Sequence, residues 1–277
     1  MSYENIPKNA DQSAVLVEVD KIVPVDVASL PDIPAQSFYV EVAKGNIPGH
    51  SIATLSGLNA SVDATTSEDL WDLGGVLIWA TSGEQWEIVS DESDDSSAGT
   101  GARAVQITYL DDQYVEHSEV VTLQGTSPAL TVATNMYRAL RATVVAVGAT
   151  GHNVGTLVIK AAGGGNARIG IIPEVNRSLH GFYTIPAGKT GYLVYAHSAI
   201  GKNRDANLLI HNTAGDAGIF YRSIFSELYQ NSVVLQPMAP IGAIEEKSDI
   251  KLVCSTENNN TSMSAYIQLL LVDNPAG

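Results

Sequence analysis

A series of short apolar segments between His180 and the end of the chain constrains the fold more than any other feature of the sequence. Each segment has the length of a strand rather than a helix. Segments of this length and spacing are typical of a β-sandwich. We therefore predict a jelly-roll-like C-terminal β-sandwich domain over residues 179–277. Its predicted strands are residues 182–185, 190–197, 206–211, 218–222, 233–235, 250–255 and 264–272, with a short helix at residues 223–230.

Residues 38–178 have the pattern of a second β domain, which contains one short helix. Thr66 and Asp69 have the spacing of a helix capping box, and a Gly-Gly pair follows a few residues later. This arrangement predicts a helix at residues 68–73, with Trp71 facing inward.

Beyond this helix the same domain is predicted to consist of strands and tight turns. Residues 76–79 and 85–89 predict a hairpin that sets Trp79 opposite Trp86. The other predicted strands are residues 38–42, 104–109, 114–123, 136–147 and 155–160, and residues 163–165 predict a tight loop.

Residues 1–37 have the pattern of an extended N-terminal arm. Four prolines interrupt the segment, and Val15, Val17 and Val19 alternate with their neighbours as in one strand. A strand bracketed by prolines suits a sheet edge, so we expect the arm to dock on a neighbour by strand addition. A disordered terminus is the alternative.

Charge is distributed unevenly along the chain, whose net charge is −15. Residues 1–125 carry 21 acidic and 4 basic side chains, and residues 126–277 carry 9 acidic and 11 basic ones. This shift indicates either two units with different neighbours or an acidic, soluble surface on one half. Because nucleic acids and anionic membranes attract Lys and Arg, we expect neither as a partner.

Composition limits the class of protein further. The single cysteine, Cys254, excludes an intrachain disulfide and a cysteine-rich zinc site. Hydrophobic residues make up 45% of the chain and charged residues 16%, which argues against a disordered chain. No apolar run reaches the roughly 20 residues that span a bilayer, and the polar N-terminus does not resemble a signal peptide. We therefore expect a soluble protein folded in a cytoplasm.

The acidic loop at residues 91–99 is the candidate metal site. It carries four carboxylates, and Ca²⁺ prefers several converging oxygen ligands, so Asp91, Asp94 and Asp95 are the candidate ligands. The loop lacks the spacing of an EF-hand, and a solvated acidic tip is the alternative. Residues 99–104 fit the pattern GxGxxA, but without a preceding strand and a following helix they predict a loop rather than a nucleotide site.

Other chemistry-bearing side chains are isolated in the sequence, which contains no HExxH, GxSxG or GxxxxGK[ST] motif. Asp111 and Asp112 lie at a predicted turn, where Asp is favoured because it bonds to its own backbone. On an alternating strand His117 shares a face with Glu119 and not with Glu116, which predicts either a cross-strand ion pair or an i,i+2 ion pair with Glu119. We therefore predict no catalytic residues, no cofactor and no enzymatic activity.

Trp71, Trp79 and Trp86 lie within 16 residues of one another. Clustered tryptophans form either a sugar-stacking platform or a core. We favour the core, since this part of the chain has few other large apolar residues. Cys254 lies in the middle of a predicted strand and is interpreted as a small buried side chain.

Three stretches of the sequence together resemble a known group of proteins. The first begins with FYVEVAKGNIPGHS at residues 38–51, and the third with FYTIPAGKTGYL at residues 182–193. In this order they resemble largely uncharacterised virion structural proteins of tailed bacteriophages, of the head-decoration or tail-associated type, over about residues 38–273. The stretches are residues 38–51 with 68–75, residues 98–103 with 110–114 and 118–125, and residues 182–193 with 247–251.

The resemblance implies a role in the virus particle and no chemistry, because its motifs are turns and strands. It implies a non-enzymatic structural protein of the virion, assembled in the host cytoplasm, and we favour an outer head decoration protein. The expected partners are its own copies, as a homotrimer, and other virion proteins such as the major capsid protein or tail proteins. The alternative is a tail- or neck-associated adhesion protein whose β-sandwich binds a host glycan. A hydrolase with two facing carboxylates is the third possibility.

Overall fold

The structure is a computed structural model that describes residues 35–275, apart from residues 65, 202–205, 215–218 and 229–232. Side chains are described over the same range except at residues 35–37 and 202–242. The predicted strand around Val17 therefore lies outside the described residues. Contacts between residues divide the chain into two units, Met1–Glu41 and Val42–Gly277.

The described chain begins with a helix, α1 (Ala35–Ala43), and the strand predicted at residues 38–42 is therefore wrong. A proline precedes the helix in the sequence. Gly45, with a φ of 78°, ends it by donating its N–H to the carbonyl oxygen of Val42 at 2.9 Å. These residues are ordinary start and stop signals of a helix. They favour a helix over the predicted strand, because a helix satisfies its backbone groups locally and a strand needs a partner.

The remaining elements of the described chain are sixteen strands. They are β1 (His50–Val62), β2 (Glu68–Asp69), β3 (Trp86–Ser90), β4 (Ala102–Asp111), β5 (Glu116–Thr122), β6 (Ala129–Leu130), β7 (Met136–Val147), β8 (Leu157–Ala161), β9 (Ala167–Ile171), β10 (Phe182–Thr184), β11 (Lys189–Ile200), β12 (Ala206–Ala214), β13 (Ile219–Leu228), β14 (Val233–Ile244), β15 (Asp249–Thr256) and β16 (Thr261–Asp273). None of the described helices has the length and apolar character needed to cross a bilayer.

Eight of these strands form a sandwich of two antiparallel sheets. One sheet has the order β1-β16-β11-β14, and the other has the order β10-β15-β12-β13, with the short β2 added to β15. Along the chain the eight strands alternate between the two sheets, except that β12 and β13 form a hairpin within one sheet. This is the strand order of a jelly roll. The predicted mostly β fold is therefore confirmed.

The other seven strands, β3 to β9, lie between β2 and β10 in the chain and form a second sandwich. Its sheets have the orders β5-β4-β7 and β6-β3-β8-β9. We call residues 73–178 the inserted sandwich. The jelly roll is consequently built from both sides of the insertion, since β1 pairs with β16 along most of its length. The prediction, in contrast, confines the jelly roll to residues 179–277.

Residues 68–80 form neither the predicted helix nor the first strand of the predicted hairpin. Glu68 and Asp69 pair with β15. The carboxylate of Glu68 accepts the backbone N–H groups of Asp63 and Gly75 at 2.8 and 3.0 Å. Asp69, the acidic residue that suggested a capping box, accepts the backbone N–H of Leu77 at 2.7 Å, so it also binds the loop rather than capping a helix. The backbone after β2 stays irregular as far as β3, which pairs with β6 and β8 instead.

The predicted helix at residues 223–230 is also wrong. Residues 223–228 continue β13, which pairs with β12, and residues 229–230 lie outside the described residues. In contrast, the predicted hairpin of β4 and β5 is confirmed, as are the strand β7 and the tight loop at residues 163–165. The strand predicted at residues 264–272 also forms, as β16, although its partner β1 is distant in the chain.

Each sandwich has its own apolar core. Leu55 and Ile267 lie in the core of the jelly roll, and Trp86 lies in that of the inserted sandwich. Leu110, from the inserted sandwich, packs into the jelly-roll core, and Phe182 of β10 packs into the core of the inserted sandwich. The two sandwiches are therefore packed against each other rather than connected by a free linker.

Candidate functional site

The chain segments that enter and leave the inserted sandwich lie side by side. Trp71 and His180 form an antiparallel bridge, and the N–H of Asp72 donates to the carbonyl oxygen of Leu179 at 3.0 Å. Gly181 donates its N–H to the carbonyl oxygen of Leu70, in the entering segment, at 2.7 Å. A Cβ at Gly181 would lie 2.9 Å from this carbonyl oxygen, so a larger residue would push the two segments apart.

Two titratable side chains at this junction, those of the half-buried Asp72 and the buried His180, each have one buried atom without a partner among the described residues. Oδ2 of Asp72 accepts the N–H of Leu179 at 3.1 Å, whereas Oδ1 has no partner among the described residues. Burial raises the pKa of Asp72 to about 7. His180 Nε2 lies 2.9 Å from the carbonyl oxygen of Leu140, Nδ1 has no described partner, and burial lowers the pKa of His180 to about 4. Both side chains are therefore mainly neutral at about pH 6.

A buried ion pair connects the two sandwiches nearby. Arg138 of β7 donates to both carboxylate oxygens of Asp249 at the start of β15, at 2.8 and 2.9 Å. The guanidinium of Arg138 also stacks on the rings of Tyr137 and Trp79, at 3.8 and 4.9 Å from their centroids. Burial opposes the charge of Arg138, but the hydrogen bonds and the attraction of Asp249 outweigh it and raise the pKa of Arg138. This pair fixes one sandwich against the other.

An open groove of about 660 Å³ lies beside Asp72 and carries two further carboxylates, of Asp63 and Glu68. Burial disfavours the charge of Glu68, but hydrogen bonds from two backbone N–H groups and from Asn59 outweigh it and lower the pKa of Glu68. In the part of the chain that the structure describes, no three histidine, cysteine or carboxylate side chains are arranged to hold a metal ion. The acceptor atoms of Glu68 therefore hold the loop together.

A smaller pocket, of about 210 Å³, lies between β1 of the jelly roll and the sheet β5-β4-β7 of the inserted sandwich. Glu116, Arg141 and Tyr183 contribute a carboxylate, a guanidinium and a phenol hydroxyl to it. Burial and the charge of Glu116 raise the pKa of Tyr183, against the smaller influence of Arg141. We call this cavity the junction pocket. The sequence gives no local signal for it, because its residues are distant along the chain.

The candidate metal ligand Asp95 is a structural side chain of its loop. It is fully buried. Its carboxylate accepts the N–H groups of Ala102, Val154 and Gly155 at 2.7, 2.9 and 2.8 Å, and the hydroxyl of Ser90 at 2.8 Å. Four donors thus occupy the oxygens that a cation would need.

The other two candidate ligands lie apart from this network. Asp91 accepts the N–H of Thr156 at 2.7 Å, and the side chain of Asp94 is exposed. The structure therefore does not bring Asp91, Asp94 and Asp95 together as one group of ligands. The loop does have the predicted position, between β3 and β4.

Asp111, at the predicted turn, is partnered by His117 rather than acting with its neighbour Asp112. His117 Nε2 lies 2.9 Å from Asp111 Oδ2. Burial opposes the charge of Asp111, but two backbone N–H groups and His117 outweigh it and lower the pKa of Asp111. Of the two predicted arrangements, His117 has the cross-strand one, with Asp111 of β4. The i,i+2 pair with Glu119 does not form, because the carboxylate of Glu119 binds the N–H groups of Val132 and the next residue.

The three tryptophans lie mainly in the core, as predicted from the sequence. Trp71 and Trp86 are buried, and the half-buried Trp79 packs edge-on against Phe182 with centroids 5.6 Å apart. Trp79 does not face Trp86, because the predicted hairpin between them does not form. Cys254 is fully buried, and burial raises the pKa of its thiol to about 12.

Comparisons with known proteins give weak structural similarities only. No family model matches the chain, and no curated protein sequence matches it. A chain in the 2.6 Å structure of T=1 particles derived from infectious bursal virus is 12% identical, with a TM-score of 0.23; the match covers 85% of this chain and 75% of that chain. A chain in the structure of the infectious bursal disease virus Gx strain is 11% identical, with a TM-score of 0.24, over 82% of this chain and 73% of that chain.

Proposed function

We propose that this chain is a non-enzymatic structural protein of a tailed-phage virion, and specifically an outer head decoration protein. The observation that carries the proposal is the eight-stranded jelly roll with a second sandwich inserted between β2 and β10. Jelly rolls are an architecture of viral capsid domains, and lectins and cupins also use it. Because a fold alone does not assign a function, the sequence resemblance to virion structural proteins selects among these classes.

The internal construction suits a protein that must persist in a particle without disulfides. The cysteine thiol is buried, the two cores exchange side chains, and the ion pair of Arg138 and Asp249 is shielded from solvent on both sides. A pair of this kind fixes geometry more than it adds stability. These features support a rigid building unit.

Exposed apolar side chains offer a surface for copies of the chain or for other virion proteins. Val120, Leu130 and Val132 are 57%, 55% and 87% exposed, on or beside the edge strands β5 and β6. Glu119 connects these strands by binding the backbone of Val132. Edge strands and exposed apolar residues favour association. We propose a homotrimer that contacts the major capsid protein or tail proteins, with no nucleic acid or membrane as partner.

The copy number in purified virions tests the proposal. Quantitative mass spectrometry would compare this protein with the major capsid protein, and we expect hundreds of copies per particle. A chain that is absent from the particle would overturn the virion role. Light scattering of the purified protein would check the trimer, and a monomer would overturn that part.

A tail- or neck-associated adhesion protein that binds a host glycan is the second candidate. The observation that favours it is the polar junction pocket. A copy number that is a small multiple of three or six would place the protein in the tail or neck and replace the head decoration role.

A further inference from the structure

The junction pocket contains polar groups that the described chain leaves without partners. Tyr183 is only 7% exposed, yet its hydroxyl group makes no hydrogen bond with any described residue that lines the pocket or surrounds it. Glu116 and Arg141 are exposed side chains that form no ion pair or side-chain hydrogen bond within the described residues, so their charged groups are open to a ligand. The hydroxyl is not among the buried atoms that lack a partner, so it is open to the pocket and available to bind a ligand.

The sheet register explains why Glu116 and Arg141 meet at this pocket. Arg141 of β7 lies opposite Thr108 of β4, and Glu116 of β5 lies opposite Leu110 of β4. Thr108 and Leu110 are two residues apart on one strand, so they share a face of the sheet. The carboxylate and the guanidinium therefore flank the central strand on the same face.

The jelly roll supplies the opposite wall. Tyr183 comes from β10, and residues 51–54 come from β1, which lies at the edge of its sheet. An edge strand leaves one row of backbone N–H and C=O groups unpaired. The pocket thus exists only because the inserted sandwich packs against this edge.

The lining combines hydroxyl groups with an apolar surface. Ser51, Thr54 and Thr108 add hydroxyls that both donate and accept hydrogen bonds, and Leu140 and Leu271 add apolar atoms. A pyranose ring presents the same combination, with hydroxyl groups at its rim and C–H groups on its faces.

Charge and volume limit the ligand further. One carboxylate and one guanidinium give the lining no net charge, so a neutral ligand matches it best. The cavity of about 210 Å³ is smaller than the roughly 300–1,000 Å³ of pockets for drug-sized ligands. It has room for one ring rather than an oligosaccharide.

We propose that the junction pocket binds a single neutral hexose unit, in which Glu116 accepts hydrogen bonds from the sugar and Arg141 and Tyr183 donate to it. The inference gives a site and a ligand class to the second candidate function. It is tested on the purified chain, so its failure would leave the copy-number result for the virion role unaffected.

The experiment is saturation-transfer NMR of the full-length protein with the methyl glycosides of glucose, galactose and mannose, followed by titration of the sugar that responds. Variants Tyr183→Phe, Glu116→Gln and Arg141→Met each remove one polar group, and Glu257→Gln, at an exposed carboxylate outside the pocket, is the matched control. We expect each pocket variant to weaken binding by about tenfold. The control variant is expected to bind as the wild type does, and thermal unfolding of all four variants confirms that they are folded.

Each other outcome overturns the proposal. No response to any of the three glycosides would exclude a neutral hexose site. A response that all three pocket variants retain would place the sugar elsewhere on the molecule. Glycine and serine are added as zwitterionic probes, and binding of these in place of the sugars would show that the unpaired charges serve an amino acid.

Discussion

Arg138 in the inserted sandwich and Asp249 in the jelly roll are joined by two parallel hydrogen bonds across the boundary between the sandwiches. Thr184 adds a third bond, from its hydroxyl to Asp249 Oδ1 at 2.6 Å. Paired bonds of this kind restrict orientation as well as distance. The pair therefore sets the angle at which the two sandwiches meet, and with it the walls of the junction pocket.

Arg138→Met should destabilise the protein strongly. The variant leaves the carboxylate of Asp249 buried without its cation, which typically costs about 3–5 kcal/mol in the free energy of unfolding. Urea unfolding measures the loss. Lys189→Met, which removes one partner of the exposed pair with Asp273, is the control and should lose at most about 1 kcal/mol. Equal losses in the two variants would contradict the structural role of Arg138.

Asp72→Asn should change how stability depends on pH. Because folding raises the pKa of Asp72 from 3.8 to about 7, its stabilising contribution is complete below about pH 4 and is lost as the pH rises through 7. The Asn variant has no such loss, so its advantage in unfolding free energy should grow between pH 4 and 7, to roughly 4 kcal/mol. Urea unfolding at a series of pH values checks this. Parallel pH curves for the two proteins would show that Asp72 ionises freely.

His180 should titrate in the opposite sense. Because folding lowers its pKa from 6.5 to about 4, the neutral ring stabilises the fold above about pH 6.5, and this stability is lost as the pH falls through 4. NMR of the ring should show it neutral at pH 5 in the folded protein and mostly protonated in urea. A folded-state midpoint near 6.5 would mean that the ring reaches solvent.

Asp95→Ala should be far more harmful than Asp94→Ala in the same loop. The first change leaves three N–H groups and one hydroxyl without their acceptor, at a cost of about 2–4 kcal/mol or more. The second alters an exposed side chain and should stay within about 0.5 kcal/mol. Thermal unfolding compares the two variants. Similar midpoints would mean that the loop is ordered by other contacts.

The thiol of Cys254 should be inert in the folded protein. It is fully buried and its pKa is about 12, so the reactive thiolate is scarce and inaccessible. Labelling with a thiol reagent at pH 8 should be negligible without denaturant and complete in guanidinium chloride. Rapid labelling under native conditions would indicate that β15 opens locally.

Local patterns in the sequence predicted many of the individual strands, but not which strands pair. The hairpin of β4 and β5 and the strand β7 follow from alternation and turn residues within one stretch. The pairing of β1 with β16 connects residues more than 200 positions apart, and alternation does not specify a distant partner. Residues 38–42 were predicted to form a strand, whereas the proline before them and the glycine after them favour the helix α1.

The candidate site escaped prediction for the same reason. Arg138 and Asp249 are 111 positions apart, and neither belongs to a motif. Asp95 was noticed for its charge, while its backbone donors, such as Val154, can be known only from the folded loop. Glu116 and Tyr183 approach each other only after both sandwiches have formed.

The adjacent entry and exit strands at Asp72 and Leu179 have a consequence for engineering. Their backbone hydrogen bond is 3.0 Å long. The two chain segments that connect the jelly roll to the inserted sandwich are therefore as close together as the two strands of a hairpin. Because the two ends of the insertion already lie together, a longer insertion adds little to the entropic cost of closing the loop in the jelly roll. The exposed turns of the inserted sandwich, such as that at Gly163 and Gly164, are therefore sites at which a foreign peptide could be displayed without altering the jelly roll that carries it.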